Sequence, residues 1–103
     1  MAQRFSRSNV TLTAATAARL SDLLAAEGYT GRMIGKYLNI HPGALADVFM
    51  GDSSSVAAAN GVAVTSTIPF VREAGSPELA IDPGAIWLIS ATGGDIRVTF
   101  ESF

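Results

Sequence analysis

Apolar residues recur along this chain with two patterns that both indicate β-strands. Residues 62–70 and 96–101 alternate apolar and polar side chains, as expected for strands with one buried face. The segments Arg32–Ile40, Leu45–Met50 and Ala85–Ala91 are apolar at nearly every position. This second pattern predicts central strands of a sandwich, or strands whose outer side is covered by a partner subunit.

Turn signals recur at short intervals between these segments. Asn60-Gly61 predicts a type I′ hairpin turn, because both of its central positions need positive φ. The other signals are HPG at 41–43, GDSSS at 51–55, GSP at 75–77, DPG at 82–84 and TGGD at 92–95. We interpret GDSSS and TGGD as hairpin turns, since neither opens a helix as a phosphate-binding loop does. The sequence therefore predicts an all-β fold, an antiparallel β-sandwich or a small β-barrel.

The N-terminal region has a different character. In residues 14–27, Ala17, Leu20 and Leu24 recur at helical spacing and Gly28 provides a stop, so at most one short helix is predicted there, over Ala14–Glu27. Before it we expect an extended arm over residues 1–9, leading into a strand at Val10–Thr13. Residues 10–103 are expected to form a single β domain.

Composition narrows the possible functions. The 103 residues are 49% hydrophobic and 16% charged, with a net charge of −2 and no cysteine. These values exclude a disordered tail, disulfides and thiolate metal sites, and no nucleic-acid partner is expected without a basic excess. No apolar run reaches the roughly 18–20 residues of a membrane span, so no membrane partner is expected. The mean hydropathy of +0.33 favours a homo-oligomer.

Residues capable of catalysis or metal binding are few and scattered. His41 is the single histidine and precedes Pro42-Gly43, which predicts a turn role. No serine stands in a nucleophile motif, so no Ser-His-Asp site is expected. Four aspartates lie in separate turns: Asp47, Asp52, Asp82 and Asp95. Hydrogen bonding to the turn backbone is the simpler explanation for them, and Ca²⁺ binding through oxygen ligands is the alternative. We predict no enzyme activity, no cofactor and no metal.

The aromatic and basic residues supply the candidate interface. Trp87 lies in the most apolar segment and is predicted to be core, whereas an accessible Trp87 favours sugar binding. Phe5 and Phe103 lie near the chain ends and are expected to anchor a neighbouring subunit. Arg4 and Arg7 lie in an acid-free segment suited to an acidic surface. Arg4, Phe5, Arg7 and Phe103 are therefore the interface candidates.

Several segments together resemble a known class of viral proteins. These are the V-F-M-G-D turn at 48–52, the NG at 60–61, the Asp82-Pro83 turn, I-W-L-I-S-A at 86–91, the closing I-R-V at 96–98, and A-T-A-x-R-L at 15–20. This order resembles small all-β virion structural proteins of tailed bacteriophages, some of which are head decoration or cement proteins. The likeness covers roughly residues 10–102 and consists of turns and strands, so it implies no catalytic residues.

The resemblance implies a capsid decoration protein on the surface of the virion head. Such a protein binds the major capsid protein and stabilises the shell. We expect self-association, with a homotrimer favoured because icosahedral shells offer local threefold positions. Two alternatives stay open, a neck or tail connector of the same virion and a carbohydrate- or receptor-binding module.

Overall fold

Eight strands pair into two antiparallel four-stranded sheets that pack face to face, so the predicted all-β sandwich is confirmed. The structure is a computed structural model that describes residues 3–103. Its elements are β1 (Arg4–Leu12), β2 (Ala18–Arg19), α1 (Leu20–Ala26), β3 (Gly35–His41), β4 (Val48–Gly51), β5 (Val62–Val64), β6 (Phe70–Glu73), β7 (Trp87–Ser90) and β8 (Gly94–Ser102).

The core lies between the two sheets. The first sheet has the order β1-β8-β3-β6 and the second the order β2-β7-β4-β5. The predicted alternation in β8 is confirmed, because Ile96, Val98 and Phe100 are all buried. They face Val48 and Leu88 of the second sheet in one hydrophobic cluster. The predicted central strands are also confirmed, since β3, β4 and β7 each have a neighbour on both sides.

The beginning of the chain is part of the sheet. The strand predicted at Val10–Thr13 begins earlier, at Arg4, and pairs with β8 along its length apart from a bulge between Arg7 and Val10. The expectation of an extended arm is therefore wrong for residues 4–9, because their backbone is hydrogen-bonded within the domain. Residues 1 and 2 of the predicted arm lie outside the described residues.

The helix is shorter than the predicted Ala14–Glu27. It covers Leu20–Ala26 and buries Leu20 and Leu24 against the core. The preceding segment turns instead, at Ala15 with φ of +55°, and then pairs with β7 as strand β2. As predicted, the helix ends before Gly28, whose φ of +91° is a conformation that glycine adopts without steric cost.

The alternating segment 62–70 is not one strand, which corrects the prediction. β5 ends at Val64 in the second sheet and β6 begins at Phe70 in the first. Between them the Thr65 hydroxyl accepts a 3.0 Å hydrogen bond from the Ile68 N–H, and Pro69 has no N–H to continue a ladder. A turn therefore carries the chain from one sheet to the other.

Two turn predictions also need correction. Neither Asn60 nor Gly61 has positive φ, so the turn is not type I′. Asn60 instead accepts a 2.8 Å hydrogen bond from the Ala57 N–H, and a Cβ on Gly61 would lie 2.9 Å from the Ala57 oxygen. TGGD joins β7 and β8 of different sheets and is not a hairpin. GDSSS does begin the connection of the paired strands β4 and β5, as predicted.

Candidate functional site

The outer face of the first sheet is mainly polar, although Val71, opposite Asn39, is a 53% exposed apolar residue on it. Its cross-strand neighbours are joined by side-chain contacts: Arg4 to Glu101 at 3.2 Å, Ser6 to Thr99 at 3.2 Å and Thr11 to Asp95 at 2.7 Å. These groups satisfy one another and water across the sheet, which is the usual state of a solvated sheet face.

The outer face of the second sheet is apolar. Phe49 on β4 lies directly opposite Ile89 on β7 and Ala63 on β5. Leu88 and Ser90 are buried, and because side chains alternate along a strand, Trp87 and Ile89 face outward. Phe49, Trp87 and Ile89 are each half-buried, so one side of the sandwich presents large apolar groups to its surroundings.

Small residues surround Phe49 and Ile89. Together they line a shallow hollow of about 210 Å³ whose other apolar residues are Ala15, Ala57, Ala58 and Ala91. We call Phe49, Ala63, Trp87 and Ile89 with these four alanines the apolar face. Alanine side chains leave the hollow open, so a projecting group of another molecule can reach the phenyl and isoleucine side chains. This hollow is the candidate docking site.

The 52–61 connection forms one border of the apolar face. Gly51 lies opposite Trp87, and a Cβ on Gly51 would meet the Val56 side chain at 2.7 Å. Val56 is buried there, so the absence of a side chain at Gly51 lets the connection fold back on the sheet. Asn60 holds the connection in shape by donating a 3.1 Å hydrogen bond to the Ser55 oxygen.

Asp47 is the one acidic residue of the hollow and ties three segments together. Its carboxylate accepts a 2.7 Å hydrogen bond from the Ser90 hydroxyl and a 3.0 Å bond from the Thr92 N–H. The Thr92 hydroxyl donates to it as well, at 3.1 Å. The Ser90 hydrogen bond, followed by that of the Thr92 N–H, lowers the pKa of the Asp47 carboxyl below its usual value of 3.8. The carboxylate therefore fixes the end of β7.

Trp87 lies at the other end of the apolar face, which corrects its prediction as core. It occupies an outward position, and its inward neighbour Leu88 takes the core place. The Arg19 guanidinium lies over the indole at 5.0 Å from the ring centre, a cation–π arrangement. Arg19 also approaches Asp22 at 3.9 Å.

The structure separates the predicted interface residues into buried and exposed groups. Phe5 is 4% exposed and packs edge-on against Tyr29, with ring centres 6.2 Å apart. This corrects the expectation that Phe5 anchors a neighbour, because its side chain is in the core of its own chain. Arg7 covers the Phe5 ring at 5.2 Å and Arg4 pairs with Glu101. Both arginines remain exposed, and their interface role stays a prediction.

Phe103 is half-buried and packs against the core. Its N–H donates a 3.0 Å hydrogen bond to the Ile34 oxygen, so the residue is held on its own domain. An anchoring role for Phe103 in a neighbouring subunit stays a prediction.

The other residues considered for chemistry have local structural roles. His41 Nδ1 accepts a 3.0 Å hydrogen bond from the Gly43 N–H, as its turn position predicts. Asp82 likewise accepts a 2.8 Å bond from the Gly84 N–H within its own turn. Across residues 3–103, no group of three His, Asp or Glu side chains is placed to hold a metal ion. Within that same range, no helix has the length and apolarity to cross a membrane.

Comparisons of the chain with protein-family models, with curated proteins and with solved structures give no match.

Sequence reasoning did not identify Phe49 and Ile89 as site residues. The signal that could have found them is the run of apolar residues on both faces of Leu45–Met50 and Ala85–Ala91. In the sandwich, only one side of β4 and of β7 faces the core. The apolar residues on the other side of these two strands therefore form an apolar outer surface. A sequence pattern without the sheet order cannot tell which residues take which side.

Proposed function

We propose that this protein is a structural component of a bacteriophage virion that decorates the outside of the head. In this role the apolar face docks onto the major capsid protein and stabilises the shell. The observation that supports docking is the contrast between the two outer sheet faces. One carries paired polar groups, and the other carries Phe49 and Ile89 at an open hollow, with Trp87 on the same face. A concentrated apolar surface on a small domain is typical of a protein-binding site.

The assignment to a virion rests on the resemblance of the turn and strand segments to decoration proteins. Decoration also suits a module whose binding surface is a sheet face, because the strands hold the contacting side chains in fixed positions. A shell repeats the same contact many times, so weak individual contacts suffice once several copies are linked. A threefold assembly would present three apolar faces to three capsid subunits, which is why we propose a trimer.

Co-sedimentation with expanded, undecorated heads of the same virus tests this function. We expect the protein to bind and to saturate at many copies per head. Ile89→Lys places a charge on the apolar face and is expected to weaken binding at least about tenfold, because the ammonium group would be desolvated in the contact.

The matched control is Thr99→Lys, which places the same charge at a half-buried outward position of the first sheet. It should bind like the unchanged protein. Equal binding by both variants would exclude the apolar face, and no binding by the unchanged protein would exclude decoration. Saturation at about a dozen copies would instead indicate a neck or tail ring, whose symmetry limits the copy number.

The partial exposure of Trp87 supports a second candidate, a carbohydrate- or receptor-binding module. An outward indole is the group on which sugar rings stack, but Arg19 already lies over this one at 5.0 Å. A sugar using that side of the ring must displace the guanidinium. Titration with mixed oligosaccharides, followed by Trp87 fluorescence, tests this candidate. A saturable change that Arg19→Ala strengthens would favour it over decoration.

A further inference from the structure

A slot opens between the two sheets at the edge where β5 and β6 lie. Its volume is about 420 Å³. Met50 and Val62 line it from the second sheet, and Phe70 and Arg72 line it from the first. β5 and β6 are the outermost strands of their sheets at this edge, so no further strand covers the gap. The sandwich therefore leaves part of its apolar interior accessible from one side.

The turn beside this slot presents a projecting apolar side chain. Ile68 is 73% exposed at the end of the connection from β5 to β6, two residues before Phe70. Thr65 holds the turn through its N–H, which donates to the Ile68 oxygen at 3.2 Å, and through its hydroxyl, which accepts from the Ile68 N–H at 3.0 Å. These bonds hold the backbone of Ile68 in the turn while its side chain is exposed.

Two opposite charges also line the slot. Arg72 and Asp52 are both exposed there. The ion pairs found within residues 3–103 are Arg4–Glu101 and Arg19–Asp22, so neither Arg72 nor Asp52 has an opposite charge within 4.0 Å in that range. Each of these two charges can therefore pair with the opposite charge on another copy of the chain.

We propose that the occupant of this slot is a second copy of the chain. Ile68 of one copy enters the slot of its neighbour, and Arg72 of one copy pairs with Asp52 of the other. A second copy is favoured over another partner because each chain carries the projecting Ile68, an apolar slot that can receive it, and the opposite charges of Arg72 and Asp52. The slot adjoins the apolar face through the 52–61 connection but shares no lining residue with its hollow, so Phe49 and Ile89 remain available to a shell.

The charge on Arg72 also determines the kind of contact. Arg72 lies opposite the buried Leu38 on β3, so it occupies an inward position of an edge strand. A charge in that position opposes extension of the sheet by a neighbouring strand. The copies therefore meet through side chains and do not form a continuous sheet across the contact.

Light scattering and sedimentation equilibrium of purified variants test the contact. We expect Ile68→Ser to weaken self-association at least about tenfold without affecting the fold, since the side chain is exposed and central to the contact. Leu79→Ser is the matched control, because Leu79 is 67% exposed but lies outside both the slot and the turn that joins β5 to β6. It should associate like the unchanged protein.

A charge exchange provides the second test. Arg72→Asp leaves two acidic groups facing each other and should weaken association at least about tenfold, as should Asp52→Arg. The double variant Asp52→Arg, Arg72→Asp restores opposite charges and should associate within about threefold of the unchanged protein. Recovery in the double variant supports direct pairing between copies.

A protein that stays monomeric up to about 1 mM, or single variants that associate normally, would overturn the proposal. A monomer that still binds heads would overturn this contact alone, whereas a self-associating protein that does not bind heads would overturn the decoration role alone. A dimer would support the contact and contradict the trimer.

Discussion

Phe49 and Ile89 lie opposite each other on adjacent strands, and both point away from the core. The adjacent residue on each strand is the one that packs in the core: Val48 next to Phe49, and Leu88 next to Ile89. The fold therefore does not need a large apolar pair on the outside of this sheet. Under the proposed function, this pair contacts the capsid protein and contributes to binding more than to folding.

Adjacent positions on β7 should have different effects on stability. Leu88→Ala removes a fully buried side chain and should lower the free energy of unfolding by about 2–5 kcal/mol. Ile89→Ala removes a half-buried side chain and should cost less than half as much. Urea denaturation measures both values. An equal loss at the two positions would show that Ile89 is part of the core.

Residues 4–9 should be needed for folding. Phe5→Ala should lower the free energy of unfolding by about 3–5 kcal/mol, since the ring is buried against Tyr29. Deletion of residues 1–9 removes that ring and most of the β1 ladder, so we expect loss of the cooperative transition. Arg7→Ala is the control and should cost no more than about 1 kcal/mol, because it removes only an exposed contact with the Phe5 ring. If the variant lacking residues 1–9 is stable and unfolds cooperatively, these residues are a dispensable arm.

The extent to which sequence predicted this fold differs from strand to strand. The alternation of Ile96, Val98 and Phe100 correctly gave the buried face of β8, because the intervening residues are polar. In residues 62–70 the alternation of apolar and polar residues continues through a turn. The sequence pattern does not predict the hydrogen bond from the Ile68 N–H to the Thr65 hydroxyl that stabilises this turn. Alternation reports side-chain character, but it does not report whether the backbone remains in one sheet.

The position of Trp87 could not be read from its segment because both sides of β7 are apolar. The size and apolarity of the indole favour a core position, yet the buried side of β7 contains Leu88 and Ser90. A buried serine is tolerated here because its hydroxyl donates to Asp47, which lies far away in the sequence. Because this partner lies 43 residues away, the local segment does not indicate that Ser90 takes the buried side.

Acid should destabilise the protein partly through Asp47. Its pKa is lower in the folded chain than in the unfolded chain, so its contribution is present above 3.8 and is lost as the pH falls through the folded value. We expect Asp47→Asn to lower the melting temperature at neutral pH and to flatten its decline on acidification. Glu78→Gln, at an exposed position, is the control. A decline of unchanged steepness in Asp47→Asn would exclude this role for the carboxylate.

Two glycines should respond differently to alanine. Gly93 has φ of +70°, and a Cβ there would lie 2.7 Å from the Ala14 nitrogen. Gly93→Ala should therefore cost at least about 1–2 kcal/mol, from the left-handed conformation alone. Gly75→Ala meets no atom within 4 Å and should change stability by no more than about 1 kcal/mol. Thermal unfolding measures both changes in stability. Similar values would contradict the close approach of the β7–β8 connection to Leu12 and Ala14.

Cryo-electron microscopy of heads saturated with the purified protein tests the proposed decoration role. We expect additional density on the outside of the shell at local threefold positions, with Phe49 and Ile89 of the second sheet against the major capsid protein. The polar outer face of the first sheet, with Arg4 and Glu101, should point to solvent. Density confined to the neck or tail, or a shell contact made through the first sheet, would contradict it.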